Sequence, residues 1–134
     1  DVGRHRGRNF DWDAVRRAIE HYEEAGYEPQ GVCGQATLRC NPPPSTIEDR
    51  IVPCPVIDEC RFSQGPTSAR VFVLRLSQAY GCCFVDNSNY RLRVWEEHSA
   101  YEWLLERGHG LKISYIFDVF GNYIPASTPE SCSS

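Results

Sequence analysis

The ten residues Cys82–Arg91, CCFVDNSNYR, indicate the class of fold. Four apolar residues, Cys82 to Val85, run directly into the polar group that starts at Asp86 and ends at Asn89. A short and continuously apolar strand is typical of a parallel sheet buried on both faces. The stretch therefore predicts an interior strand. The polar group behind it is either a metal-binding strand end or a turn closed by side-chain to backbone hydrogen bonds.

The segments around this strand predict alternating helices and strands. Three helices are indicated by residues at their ends: Asp11 and Gly26 for the first, Ser68 and Gly81 for the second, and the capping box Ser99 and Glu102, followed by Gly108, for the third. Further strands are predicted in GVCGQATL (31–38), RIVPCPVI (50–57), LKISYIF (111–117) and YIP (123–125). This order predicts a three-layer α/β/α domain with a mainly parallel central sheet.

Prolines and chain length set further limits. Pro53 and Pro55 remove two ladder donors, so the strand at 50–57 is predicted at the edge of the sheet.

A chain of 134 residues is one domain by length, and we assign it to residues 1–126, with 127–134 as a flexible tail. No apolar run approaches the roughly 18 residues of a membrane span, so no membrane contact is predicted.

The cations are nearly all arginine, although the net charge is −4. Lys112 is the only lysine among 14 cationic residues. Arginine makes planar, bidentate contacts with phosphate. The opening segment concentrates Arg4, Arg6 and Arg8 within a few residues. This segment is either a solvated, mobile arm or a surface that faces RNA phosphates.

The seven cysteines do not form a pattern that is typical of secreted disulfide frameworks. We interpret them as reduced and mostly buried thiols, which predicts a cytoplasmic or nuclear location. A zinc site is the alternative, although the spacing of its ligands would be unusual. Its four ligands would be Cys33, Cys40, Cys54 and Cys60.

The second half of the chain carries a distinctive set of residues. The set comprises Arg70, Asn89, Tyr90, Arg91, Trp95, Tyr115, Phe117, Tyr123 and Pro125. In this order and spacing, the chain resembles the NYN-type ribonucleases of the PIN-like superfamily, and within them the Regnase branch. The opening segment VGRHRGRNFDWDAVRRAIEHYEEAGYE (2–28) is similar to the part of that family that follows its Asp-Gly-x-Asn loop. The resemblance places the first strand of the domain upstream of residue 1.

The resemblance implies a metal-dependent endoribonuclease. Such domains gather acidic side chains at the carboxyl ends of parallel strands, where they hold Mg²⁺ or Mn²⁺. The metal activates a water molecule and stabilises charge on the phosphate as the RNA strand is cut. In this chain, however, three expected acidic positions are occupied by Ser68, Ala69 and Ser88. The candidate catalytic and metal-binding residues that remain are Asp86 and Asp1.

Three functions remain open on this basis. The first is a nuclease-like module that has lost or weakened its metal site and acts in RNA processing or decay through RNA or protein contacts. The second is an active Mg-dependent endoribonuclease that uses displaced acids such as Asp86. The third is a protein-interaction scaffold without an RNA role, which requires an exposed apolar patch.

The expected partners follow from the first two functions. We expect single-stranded RNA as a partner and a homo- or heterodimer with another NYN domain as a further one. The predicted RNA-binding residues are Arg4, Arg6, Arg8, Asn89 and Arg91.

Overall fold

The computed structural model describes residues 2–4, 10–57, 68–87 and 101–126. The regular helices are α1 (Trp12–Glu24), α2 (Gln35–Cys40) and α3 (Ser68–Tyr80). A later helical segment has three parts, Tyr101–Trp103, the π-helical Leu104–Gly108, and His109–Leu111. Short 3-10 turns occupy Val2–Arg4 and Glu48–Arg50. No helix in the described ranges is long and apolar enough to cross a membrane.

Six short strands accompany these helices. They are β1 (Gly31–Cys33), β2 (Ile51–Pro53), β3 (Phe84–Val85), β4 (Lys112–Ile113), β5 (Tyr115–Phe117) and β6 (Tyr123–Pro125). Strands β1 and β2 pair in parallel, as do β3 and β4, whereas β5 and β6 form an antiparallel hairpin.

The ends of α1 are formed by the predicted residues. The carboxylate of Asp11 accepts hydrogen bonds from the backbone N–H groups of Asp13 and Ala14 at 3.0 and 3.2 Å, which caps the helix. Behind the helix, Gly26 has a φ of 92°, a conformation that favours glycine. The helix buries a stripe that includes Ala18 and Tyr22.

Strands β4 and β5 are separated by Ser114 and pair with different strands. The carbonyl of Ile113 accepts from Asp86 N at 3.0 Å, on the β3 side. The next carbonyl, that of Ser114, accepts from Ala126 N at 2.7 Å, on the β6 side. The pairing partner therefore changes from β3 to β6 at Ser114.

Two apolar clusters cover β3 from opposite faces. Phe84 packs with Leu74 of α3 and Leu104 of the later helical segment. Val85 packs against a cluster formed by α1 and the hairpin, which we call the tyrosine cluster. Its buried members are Ala18, Tyr22, Tyr115 and Tyr123. Neighbouring side chains of a strand point to opposite faces, and here both faces meet apolar partners.

The predicted three-layer fold with a mainly parallel central sheet is wrong. The described strands are two or three residues long and form separate two-stranded sheets of both kinds, so they build no extended parallel sheet. Pro53, the last residue of β2, does not interrupt the pairing with β1, because the Cys54 N–H donates to the Cys33 carbonyl at 2.8 Å. The turn before Asn122, with Gly121 at a φ of 80°, reverses the chain and makes the last pair antiparallel.

Several local predictions also change. The predicted interior strand from Cys82 to Val85 is reduced to Phe84–Val85, and Cys82 is exposed. The predicted strand at 31–38 stops at Cys33, because α2 begins two residues later. The predicted single strand at 111–117 is divided at Ser114 into β4 and β5.

Candidate functional site

Asp86 lies at the carboxyl end of β3, and only 5% of its surface is exposed. Its backbone N–H continues the β3–β4 ladder by donating to Ile113. Helix α3 precedes β3, packs against it and is joined to it through the turn at Gly81, which has a φ of 63°. The chain therefore returns along the helix, and the first turn of α3, which contains Arg70, lies towards the end of β3 that carries Asp86.

Tyr115 connects these two charged residues. Burial and, to a smaller extent, the negative charge of Asp86 raise the pKa of the Tyr115 phenol to about 12, against the opposing positive charge of Arg70. Both charges therefore act on the same buried phenol. Because a high pKa keeps the phenol neutral at ordinary pH, the site combines one carboxylate, one guanidinium and one neutral hydroxyl.

Asn87 holds the strand end in place. Its side-chain carboxamide donates to the Tyr115 carbonyl at 3.0 Å and accepts from the Tyr115 backbone N–H at 2.9 Å. These two side-chain bonds take the place of backbone hydrogen bonds beyond Val85, the last paired residue of β3. The bonds reach Tyr115, 28 residues away, so Asn87 joins the end of β3 to β5 and does not close the predicted local turn. The rest of the polar group, Ser88 and Asn89, lies outside the described residues.

Asp86 is the only predicted metal-binding residue within the described ranges, because Asp1 lies outside them. Ser68 and Ala69 form the start of α3, where the resemblance implies two carboxylates. Within the described ranges, no three Asp, Glu, His or Cys side chains come together as a metal-binding group.

The described residues that flank the arginine-rich segment contact each other. The carbonyl of Gly3 accepts from the backbone N–H of Asp11 at 2.7 Å. A Cβ atom on residue 3 would fall on the ring of Phe10, which shows how closely the ring covers Gly3. Val2 packs against the tyrosine cluster. The described residues on either side of the arginine-rich segment are therefore hydrogen-bonded to each other.

The tyrosine cluster contacts residues near both predicted parts of the site. Val2, which precedes the arginine-rich segment, and Val85, at the end of β3, both pack against it. Tyr115 is a buried member of the cluster. The cluster therefore links the start of the described chain to the end of β3.

The predicted site residues fall into two groups. The structure brings Asp86 towards the start of α3, where Ser68 and Ala69 are half-buried. Arg4 ends the first 3-10 turn by its backbone. The predictions for Asp1, Arg6, Arg8, Ser88, Asn89 and Arg91 lie outside the described residues, as does the predicted tail at 127–134.

The interpretation of the cysteines as reduced and mostly buried thiols is partly wrong. Cys33 and Cys54 are free and buried, whereas Cys40 and Cys82 are free and exposed. Cys83 is disulfide-bonded, and its partner lies outside the described ranges. Cys33, Cys40 and Cys54 form no metal-binding group, and Cys60, the fourth predicted zinc ligand, is outside those ranges.

The sequence analysis missed the parts played by Gly3 and Tyr115. In the sequence, Tyr115 is notable only as one of the residues that carry the resemblance. Its alternation with Phe117 predicts that its side chain is buried. The alternation does not predict that Tyr115 lies beside Asp86. Gly3 had no local signal, because its role depends on contacts with Phe10 and Asp11.

The chain matches none of the protein-family models, and no curated protein is significantly similar to it. The function is therefore argued from the residues and geometry of the site.

Proposed function

We propose that this chain is a nuclease-like module that binds single-stranded RNA in RNA processing or decay, and that its metal site is lost or weakened. The observation that carries the proposal is the start of α3, where Ser68 and Ala69 stand at the positions for which the resemblance implies two carboxylates. Without those carboxylates the site lacks part of the negative charge that a hydrated Mg²⁺ requires. Cleavage by displaced acids is the alternative.

The closed base of the opening segment supports RNA as the ligand. The bond between Gly3 O and Asp11 N holds the two ends of a segment that contains Arg4, Arg6 and Arg8. A loop with fixed ends loses less conformational freedom on binding than a free arm does. Guanidinium groups on such a loop suit the regularly spaced phosphates of a single strand.

The first experiment measures affinity for a fluorescent single-stranded RNA as a function of salt. Replacing Arg4, Arg6 and Arg8 together with Ala should lower affinity at least about tenfold at low salt. The slope of log K against log salt should become shallower by about 0.7 for each lost phosphate contact. The matched control removes three exposed arginines elsewhere, Arg39, Arg75 and Arg107. Equal losses in both variants, or no binding by the parent at low salt, contradict the proposal.

A second experiment tests the closed loop without changing any charge. Gly3→Ala introduces a Cβ that collides with the Phe10 ring, so it should loosen the base of the loop and weaken RNA binding several-fold. Gly34→Ala is the control, because a Cβ at that position meets nothing within 4 Å. If both variants bind RNA as tightly as the parent, the packing around Gly3 does not contribute to RNA binding.

An RNA cleavage assay distinguishes a lost or weakened metal site from an active endoribonuclease that uses displaced acids. We expect the parent to cut RNA at the background rate with either Mg²⁺ or Mn²⁺. Asp86→Asn keeps the size of the side chain and removes its charge, and it should leave that rate unchanged. Robust cleavage by the parent that disappears in Asp86→Asn would instead establish an active endoribonuclease with a displaced acid.

A further inference from the structure

The turn between β5 and β6 presents an aromatic side chain to solvent. Phe120 is 80% exposed, and its neighbour Val119 is 94% exposed. Neither residue belongs to the two apolar clusters of the described part of the chain. An aromatic ring that stays exposed next to another apolar side chain gains nothing from the core, so it marks a surface that contacts a ligand or partner.

The turn that carries Phe120 has a well-defined backbone. The Asp118 carboxylate accepts from the backbone N–H groups of Phe120 and Asn122, both at 2.9 Å. The Asp118 carbonyl accepts from the Gly121 N–H at 3.0 Å, which closes the turn. The ring therefore projects from an ordered support, and little backbone freedom is lost when a ligand covers it.

The same turn is fixed to the helix that follows the arginine-rich segment. The chain enters α1 at Asp11, whose N–H is bonded to Gly3. Arg17 lies six residues later, about 9 Å along the helix axis. Its guanidinium donates to the Gly121 carbonyl at 2.9 Å, beside Phe120. A short strand of RNA bound where the chain enters α1 can therefore reach the turn.

The charges around the turn favour a base at this position over a phosphate. Asp118 lies in the turn, and Asp13 is bonded to the Arg17 guanidinium at 2.9 Å. These carboxylates repel a phosphate, whereas they do not repel the neutral face of a base. Aromatic side chains bind bases by stacking, and they tolerate any sequence because every base has such a face.

We propose that Phe120 is the stacking platform for one base of the RNA strand whose phosphates contact the arginine-rich segment. This inference rests on the proposed function and adds to it the part of the RNA that is recognised. A base in a duplex is covered on both faces by its neighbours, so only a base that is free of a duplex stacks on Phe120. The contact therefore favours single-stranded over double-stranded RNA.

The experiment measures affinity for a fluorescent oligoadenylate of about ten nucleotides. Phe120→Ala should lower affinity about 5- to 100-fold. Phe120→Leu keeps an apolar side chain without a ring face and should lose a similar factor, whereas Phe120→Trp should bind at least as tightly as the parent. Tyr80→Ala is the matched control, because Tyr80 is a 78% exposed aromatic residue at the end of α3, and it should bind like the parent.

Two further measurements separate stacking from phosphate contact. Phe120→Ala should keep the parent's slope of log K against log salt, because it removes no charge, whereas replacing the three arginines makes that slope shallower. On an abasic strand of the same length, the parent and Phe120→Ala should bind equally. Circular dichroism establishes that each variant is folded, and if Phe120→Ala is not, Phe120→Leu takes its place.

The outcomes distinguish this inference from the proposed function. The inference alone is overturned if the parent binds RNA and the Phe120 variants bind it equally well, which would leave the turn to a protein partner. It is also overturned if Tyr80→Ala loses as much affinity as Phe120→Ala, or if the loss persists on the abasic strand. A parent that binds no RNA at low salt overturns both.

Discussion

The two faces of the β5–β6 hairpin have opposite surroundings, although their residues alternate along the same strands. On the inner face Tyr115 and Tyr123 are only 4% and 6% exposed. On the outer face Ile116 and Ile124 are 61% and 40% exposed, although isoleucine is the more apolar residue. The difference arises because α1 packs against the inner face. Burial in this domain thus depends on which elements lie over a face as well as on the polarity of its side chains.

The largest expected effect comes from truncating neighbouring residues on the two faces. Tyr115→Ala should lower the free energy of unfolding by about 3–5 kcal/mol, because it leaves a cavity in the tyrosine cluster. Ile116→Ala should change it by less than about 0.5 kcal/mol when measured on dilute protein. Denaturant titration at low protein concentration measures both values. Similar losses for the two variants would remove the distinction between the faces.

A smaller effect is expected where the later helical segment packs closely. A Cβ on Gly108 would lie 2.7 Å from the Trp103 ring, so Gly108→Ala should destabilise the fold by about 1–3 kcal/mol. Gly110→Ala is the control, because a Cβ at that position meets nothing within 4 Å. Thermal unfolding compares the two. A Gly108→Ala variant as stable as the control would show that the Trp103 ring can move aside.

The hydroxyl groups of the inner face should contribute less. The Tyr22 and Tyr123 hydroxyls are hydrogen-bonded at 2.8 Å in a buried environment. Tyr123→Phe leaves the other hydroxyl without this partner and should cost about 1–2 kcal/mol. The double replacement of both tyrosines by Phe should cost no more than the single change. A double-mutant cycle measures the coupling, and strictly additive losses would argue against it.

The free energy of unfolding should fall gradually at alkaline pH, because the tyrosines of the inner face are buried. The pKa of Tyr115 rises from 10.0 to about 12, and burial also raises the pKa values of Tyr22 and Tyr123. Below pH 10 both the folded and unfolded chains keep these protons, so the stability is complete. Above that pH the unfolded chain ionises first, and stability falls as the pH rises towards 12. Tyr115→Phe should make this fall shallower in denaturation series, and an unchanged pH dependence would contradict it.

The helix ends were predictable because their causes are local. Asp11 caps α1 through hydrogen bonds to backbone groups two and three residues later, and Gly26 and Gly81 take positive φ values just behind helices. Gly108 shows the limit of such reasoning. It was expected to follow the third helix, but it lies in the π-helical turn under the Trp103 ring. The packing of that ring is a tertiary effect.

The sheet was predicted less well because strand pairing is non-local. The apolar run before Asp86 indicated a strand correctly, but not that its pairing would stop after two residues. The sequence predicted that Asp86 lies at a strand end. It did not predict that Asp86 is buried beside Tyr115, because Tyr115 is 29 residues later in the chain.

The sequence by itself determined the two ends of α1, at Asp11 and Gly26, and the turn at Gly81 behind α3, because each depends on residue type or on neighbours within a few positions. Only the tertiary structure decided that the Gly3 carbonyl accepts from the backbone N–H of Asp11. It also decided that one face of the hairpin is covered and the other exposed. These outcomes require segments that are distant in the chain to pack together, and no local pattern specifies such contacts.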